Sequence, residues 1–172
     1  MSHIVANLPP VKCFVRKEFL YDFEKGHGEL EPCWWISIKS LRGQAFRIEA
    51  YLNNEIINPD DYSPGEYYLF SQLKSELNKI DNIRALETAL QSSLLGLAGR
   101  VDCIAEFDGN LSIIDFKTSS AEKDKKSIKE YFMQATAYAI MFQEQTGIPV
   151  KNIVILMSCE DGATVVFLSL IH

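Results

Sequence analysis

The stretch GRVDCIAEFDGNLSIIDFKT, residues 99–118, decides the fold. Its two apolar runs favour strands, and Asp108-Gly109-Asn110 between them is a strong turn signal, so the stretch predicts an antiparallel β-hairpin. Side chains alternate between the two faces of a strand, which places Asp115 and Lys117 on one face. The hairpin also brings Asp102 of the first strand close to Asp115 of the second.

The pattern of Asp115 followed two positions later by Lys117 allows two interpretations. An acid two positions before a lysine is usually a solvated ion pair at a strand end. Two carboxylates beside a lysine, without a histidine nearby, also suit a hard cation such as Mg²⁺, which takes one or two carboxylates and completes its octahedron with water and phosphate oxygens. In that case the lysine lies beside the charge that develops on phosphorus.

Helical and strand patterns flank the hairpin. Ser63, Pro64 and Glu66 form a helix-start signal, with a capping serine, a proline at the first position and an acid in the first turn. The residues expected to be buried along this helix are Leu69, Leu73, Leu77 and Ile80. Further strand-like segments cover residues 83–92, 150–159 and 163–171, and a second helical repeat runs from residue 128 to the stop at Gly147. From Pro64 onward the predicted order is helix, three strands, helix, two strands.

Length and composition limit the classes of protein. At 172 residues with 47% apolar content, the chain has the bulk of one globular domain. A formal net charge of −6 argues against coating nucleic acid by bulk electrostatics, although it allows a local phosphate site. No apolar stretch reaches the roughly 20 residues of a bilayer crossing, and the four cysteines lack zinc or disulfide spacing. We therefore expect a cytoplasmic protein without membrane contact.

Together with YFMQATAY at residues 131–138, the opening stretch resembles the PD-(D/E)XK nuclease superfamily. It is similar to the second and third motifs, and Gln134 and Tyr138 match the Q-x-x-x-Y helix motif of the RecB-like branch. Within that branch, RALE, GRVDC and IDFKTS in this order resemble phage exonucleases and the mitochondrial genome maintenance exonuclease group. The resemblance implies an α/β (α+β) fold, a restriction-endonuclease-like αβββαβ core with a mixed sheet flanked by helices, which agrees with the element order above.

The resemblance also implies roles at the metal site. Asp102 and Asp115 would be ligands of Mg²⁺ or Mn²⁺, with the Phe116 carbonyl as a further ligand. Lys117 would orient or activate the attacking water. Glu87, at the end of RALE, is as compatible with a ligand or a supporting acid as with a solvated strand end.

Other residues are expected to contact DNA. They are Gln134, Tyr138, Thr118, Arg47, Lys123 and Lys126. All of these except Arg47 also have a plainer interpretation: the glutamine and tyrosine as a polar rim on a core helix, the threonine as a support for the lysine strand, and the lysines as a solvated loop. The residues alone leave both interpretations open.

The first motif departs from the family pattern. Related exonucleases carry G-x-x-F-H before the core, whereas residues 43–47 read GQAFR, with Arg47 in the histidine position. Arginine cannot ligate a metal, because it stays protonated and offers no lone pair. Residues 43–56 have a helical pattern, and Glu49 is expected to face a different side of this helix from Arg47. Residues 1–42 match no family pattern, and we expect them to form a β-rich extension of unknown role, with residues 43–172 forming the nuclease core.

Three functions therefore stay open. The preferred one is a Mg²⁺- or Mn²⁺-dependent DNA exonuclease, acting on single-stranded ends rather than duplex DNA, in phage-type DNA processing or recombination. The alternative is a catalytically impaired nuclease-fold protein that binds nucleic acid or a protein partner. An endonuclease or nickase on duplex DNA would use the same chemistry. Intact Asp102, Asp115 and Lys117 favour an enzyme, whereas Arg47 favours the impaired form.

Overall fold

The structure is a computed structural model that describes residues 48–171. The predicted extension over residues 1–42, its boundary with the core and Arg47 lie outside these residues. No helix within the described part has both the length and the apolar character needed to cross a membrane.

The elements follow the predicted order from Pro64 onward. They are a helical segment at residues 48–52, a short 3-10 helix (Pro59–Asp61), α1 (Pro64–Leu77), β1 (Ile80–Ser92), β2 (Leu97–Phe107), β3 (Asn110–Ser119), α2 (Lys129–Thr146), β4 (Asn152–Cys159) and β5 (Thr164–Leu170).

The five strands form one mixed sheet in the order β1-β2-β3-β4-β5. Strands β3 and β4 run parallel because α2 connects them as a crossover, and all other neighbours pair antiparallel. One face of the sheet packs against α2, and the other packs against α1 and the 48–52 segment. The predicted architecture, a mixed sheet flanked by helices, is therefore confirmed.

The central strand β3 is buried on both faces. Ile113 packs with Ala139 of α2 on one side, whereas Ile114 packs with Leu73 of α1 on the other. A strand buried in this way reads as a nearly continuous apolar run. The acid within that run, Asp115, is only 2% exposed, so the protein carries a charged group at the centre of its core.

Helix α1 begins as the sequence predicts but buries a different stripe. Ser63 and Glu66 form a reciprocal capping box, in which the Ser63 N–H donates to the Glu66 carboxylate at 3.1 Å. The buried residues are Phe70, Leu73 and Leu77. The prediction of Leu69 and Ile80 on this stripe was wrong, because the larger Phe70 takes the core position and the chain has entered β1 by Ile80.

The far end of α2 is anchored to the turn between β1 and β2. The Glu144 carboxylate accepts hydrogen bonds from the Ser92 hydroxyl and from the Ser93 amide, the latter at 2.9 Å. Gln145 donates to the Gln91 carbonyl at 2.8 Å. These bonds hold α2 along β1 and β2, so its middle turns lie over the predicted site.

Candidate active site

The candidate site lies where the sheet forks. Pairing between β2 and β3 ends at Cys103 and Ile114, whereas β3 continues along β4 to the end of the strand. Just beyond the fork, the Phe116 N–H donates to Asp102 Oδ2 at 2.9 Å. A carboxylate thus replaces a main-chain partner, and it fixes Asp102 beside Asp115.

Lys117 and Asp115 form a largely buried ion pair. The Lys117 Nζ lies 2.8 Å from Asp115 Oδ1 and 2.7 Å from Oδ2. The two side chains are 12% and 3% exposed, so this is not the solvated pair that the residues alone allowed. Oδ2 is buried but accepts no hydrogen bond of good geometry. A buried anionic oxygen with unused acceptor capacity is a natural cation ligand.

The two carboxylates of Asp102 and Asp115 lie close together, and the single charge of Lys117 balances them only in part. Burial, followed by the neighbouring Asp115 charge, raises the pKa of Asp102 to about 7. Burial also raises the pKa of Asp115, against the opposing effect of Lys117. Burial disfavours the ammonium of Lys117, yet the two carboxylates outweigh it and raise the pKa of that lysine. An additional cation would therefore relieve the repulsion between the acids.

These residues fit a hard divalent cation. Within residues 48–171, no three His, Cys, Asp or Glu side chains form a metal-binding cluster. Two carboxylates nevertheless suffice for Mg²⁺, which keeps waters and substrate oxygens in its other positions. Asp102 and Asp115 would hold the ion, and the Phe116 carbonyl lies on the strand between Asp115 and Lys117. The assignment of these ligands stays a prediction.

A third acid, Glu87, lies near Asp102, and a fourth, Glu49, lies near Glu87. Glu87 lies across from Asp102 in the antiparallel register of β1 and β2, and its φ of 45° is a strained backbone conformation for a residue other than glycine. Burial, followed by the charge of Glu49, raises the pKa of Glu87. Glu49, which was not among the predicted site residues, lies near enough to act on Glu87. The sequence signal for this residue was its position as an acid in the helical segment before the core.

Gln134 and Tyr138 form one unit on α2. The Gln134 amide donates to the Tyr138 hydroxyl at 3.0 Å. Burial raises the pKa of Tyr138 to about 12, and the charges of Asp102 and Asp115 add to this shift, so the hydroxyl keeps its proton and faces the site. The pair is therefore part of the site's surroundings and not a solvent-facing rim.

The remaining predicted DNA contacts are spread over two faces. Lys123 approaches the site through Tyr131, with Nζ 3.4 Å from the tyrosine hydroxyl oxygen. Lys126 is exposed on the loop before α2. Thr118 lies on the opposite face of β3 from Lys117, in register with Ser158. The structure thus gathers Lys123 with the site but not Thr118.

Tyr131 is a residue that the sequence analysis did not select. The Lys117 Nζ lies over its ring, 5.1 Å from the centroid. Its position one turn before Gln134 was the available signal, because residues three apart on a helix share a face.

Gly99 leaves room for Tyr138, which gives a testable expectation. A Cβ at position 99 would lie 2.8 Å from Tyr138 Cε1 and 3.2 Å from its hydroxyl oxygen. Because the ring is only 7% exposed, it cannot swing away freely. We expect Gly99→Ala to lower the free energy of unfolding by about 1–3 kcal/mol and to slow any reaction at the site. Urea unfolding monitored by circular dichroism checks the first effect.

The matched control is Gly65→Ala. Position 65 is in the first turn of α1, and nothing lies within 4 Å of the added Cβ. This variant should be as stable as the unaltered protein or slightly more stable, because alanine favours the helix. Equal stability of the two alanine variants would mean that the contact between Gly99 and Tyr138 is unimportant.

Comparison with known proteins gives a consistent set of relatives. The family model described as the PD-(D/E)XK nuclease superfamily matches residues 34–168. The "Mitochondrial genome maintenance exonuclease 1" of Mus musculus is 35% identical over 164 residues, which cover 91% of this chain and 48% of that protein. The Homo sapiens protein of the same name is 36% identical over 92 residues, covering 51% and 26%. The chain thus spans at most about half the length of these relatives.

Among solved structures, a "Putative exonuclease" from Eubacterium rectale superimposes with a TM-score of 0.48 at 13% sequence identity. The superposition covers 88% of this chain and 64% of that one.

Proposed function

The chain belongs to the PD-(D/E)XK nuclease superfamily, and from that premise we propose that it is a metal-dependent DNA exonuclease that hydrolyses phosphodiester bonds at single-stranded ends. The observation that carries the proposal is the fork between β2 and β3, where Asp102, Asp115 and Lys117 meet in a largely buried cluster. A binding module has little use for a buried acid beside a second, half-buried acid and a lysine, since each charge costs free energy to desolvate.

The chemistry follows from these side chains. A Mg²⁺ or Mn²⁺ ion held by Asp102 and Asp115 would supply Lewis acidity and neutralise charge at the scissile phosphate. Lys117 carries a positive charge in a site that excludes most water, so it can orient the attacking water and stabilise negative charge on the phosphate oxygens. The Tyr138 hydroxyl keeps its proton and can donate to a phosphate oxygen.

The choice of substrate rests on the relatives and on the local distribution of charge. The relatives named above are described as exonucleases of genome maintenance, and the motif order resembles that of phage exonucleases. These similarities support DNA ends as the substrate and a role in phage-type processing or recombination. Because its net charge is −6, the chain would bind DNA through a few lysines near the site and not through a broad basic surface.

Metal removal tests the proposal directly. Purified protein is incubated with 5′-labelled linear single-stranded DNA, linear duplex and circular single-stranded DNA, each with Mg²⁺, Mn²⁺ or EDTA. We expect progressive shortening of the linear single strand, slower attack on the duplex, and no attack on the circle. EDTA should abolish the reaction, and so should Asp115→Asn, which preserves the shape of the side chain but removes its charge.

Other outcomes identify the alternatives. Cleavage of the circle would indicate an endonuclease. Intact DNA with every metal, together with DNA binding by a folded protein, would overturn the enzyme and favour the catalytically impaired nucleic-acid-binding protein.

A further inference from the structure

The ring of Tyr131 contacts two lysines that come from different parts of the chain. Its ring is half-buried in the first turn of α2. The Lys117 Nζ of β3 lies 5.1 Å from the ring centroid, and the Lys123 Nζ of the following loop lies 5.6 Å from it. Lys123 also approaches the tyrosine hydroxyl oxygen at 3.4 Å. One aromatic side chain therefore holds two ammonium groups.

The two ammonium groups differ in how their charge is balanced. Lys117 is paired with the Asp115 carboxylate. For Lys123, no carboxylate within residues 48–171 lies at ion-pairing distance, and the lysine is half-buried. The negative face of an aromatic ring compensates a cation only in part. A positive charge is thus positioned beside the site without an anionic partner among the described side chains.

Lys125 in the same loop provides a contrast. Its ammonium lies 5.3 Å from the Phe132 ring centroid and donates to the Leu168 carbonyl at 2.9 Å. That lysine ties the loop to strand β5. Two lysines on neighbouring aromatic residues therefore serve different purposes, and only Lys123 shares its ring with the lysine of the site.

We infer that Tyr131 is a positioning residue that holds Lys123 at a fixed distance from Lys117, so that Lys123 binds the DNA phosphate next to the one that is cleaved. This inference rests on the proposed function. A single DNA backbone can reach both lysines because they contact the same ring. Contacts of this kind fix the register of a strand without reading its sequence.

DNA binding without catalysis gives the primary test. Fluorescence anisotropy of a 5′-fluorescein single-stranded oligonucleotide in EDTA is measured for the unaltered protein and for Lys123→Met, Tyr131→Phe and Tyr131→Leu. We expect Lys123→Met and Tyr131→Leu to weaken binding roughly three- to tenfold and Tyr131→Phe, which keeps the ring, by less than about twofold. The double variant Lys123→Met/Tyr131→Leu should bind no more weakly than either single variant.

Salt dependence separates positioning from a general structural effect. The slope of log affinity against log salt is negative, and loss of one phosphate contact reduces its magnitude by about 0.7 on a single strand. Lys123→Met and Tyr131→Leu should share this decrease. Phe132→Leu, a matched loss of a neighbouring ring on the same helix, should keep the original slope and affinity. Additive effects in the double variant, or an unchanged slope in Tyr131→Leu, would overturn the inference.

Single-turnover cleavage at saturating DNA then tests the link to Lys117. Tyr131→Leu should lower the rate about tenfold or more, because the ring also orients the Lys117 ammonium. Lys123→Met should raise the DNA concentration needed for saturation, by roughly three- to tenfold. If the unaltered protein does not cleave DNA at all, the proposed function fails, while the binding and salt measurements still decide the role of Tyr131.

Discussion

Lys117→Ala is expected to reduce DNA cleavage roughly a hundred- to ten-thousandfold, the range seen when a catalytic acid, base or electrostatic stabiliser is removed. The variant loses the only cation, among the described residues, that forms an ion pair with a carboxylate of the fork. DNA binding in EDTA should change far less, because a single phosphate contact contributes modestly to affinity. Single-turnover rates at saturating DNA measure the effect without contribution from product release.

Lys79→Ala provides the control for this variant. Lys79 also pairs with a carboxylate, that of Glu76 at 2.8 Å, and also lies over an aromatic ring, that of Phe107 at 5.9 Å. It is exposed and lies before β1, outside the site. Its replacement should leave cleavage within about twofold. Comparable rates for the two alanine variants, with both proteins folded, would remove Lys117 from the chemistry.

Asp102→Asn should abolish activity and yet stabilise the metal-free protein. Asparagine can still accept the hydrogen bond from Phe116, so the fork is preserved, but the repulsion with Asp115 disappears. We expect a gain of about 2–4 kcal/mol in the free energy of unfolding at pH 8. Chemical unfolding in EDTA measures this gain. Such a trade of stability for function is common where a site gathers like charges.

The pH dependence of stability should change in a defined direction. Folding raises the pKa of Asp102 from 3.8 to about 7. Between these values the folded state binds more protons than the unfolded state, so the metal-free protein loses stability as the pH rises from about 4 to about 7. Asp102→Asn should flatten this decline but not remove it, because burial raises the pKa of Asp115 in the same direction.

Adding Mg²⁺ should raise the melting temperature of the unaltered protein at pH 8, because a ligand stabilises the state that binds it. The melting temperature of Asp102→Asn should stay nearly the same, because this variant lacks one of the two carboxylates expected to hold the ion. Asp108→Asn is the matched control. Asp108 is exposed in the hairpin turn at a φ of 47°, a conformation that asparagine tolerates. A destabilised Asp102→Asn, or one that still responds to Mg²⁺, would contradict the assignment of Asp102 as a ligand.

The fold could be predicted from the sequence because its decisive signals are local. The hairpin turn at Asp108-Gly109-Asn110, the capping box at Ser63 and the left-handed stop at Gly147 each determine the end of an element without help from distant residues. The same hairpin fixes the register of β2 and β3. The meeting of Asp102 with Asp115 could therefore be predicted from the turn alone.

The rest of the site depends on contacts between distant segments. Glu49 approaches Glu87 only because the 48–52 segment packs on the α1 face of the sheet, and Tyr131 meets Lys117 only because α2 lies across β3. The spacing of residues along one helix shows which side chains share a face, but not which distant side chain that face meets. Lys123 and Lys126 are three residues apart on one loop, and only the folded loop distinguishes them. Sequence spacing therefore predicts which side chains meet within a hairpin better than it predicts which side chains of a helix meet those of the sheet.

The hydrogen bond from the Phe116 amide to Asp102 makes one backbone proton a built-in spectroscopic reporter. Amides in the paired part of β3 face neutral carbonyls, whereas this amide faces a group whose charge can change. Its NMR resonance should move when Asp102 gains a proton or gains a cation, while those of its neighbours before the fork stay in place. The state of the site can thus be followed at a single main-chain atom, in the unaltered protein and without a label on any side chain.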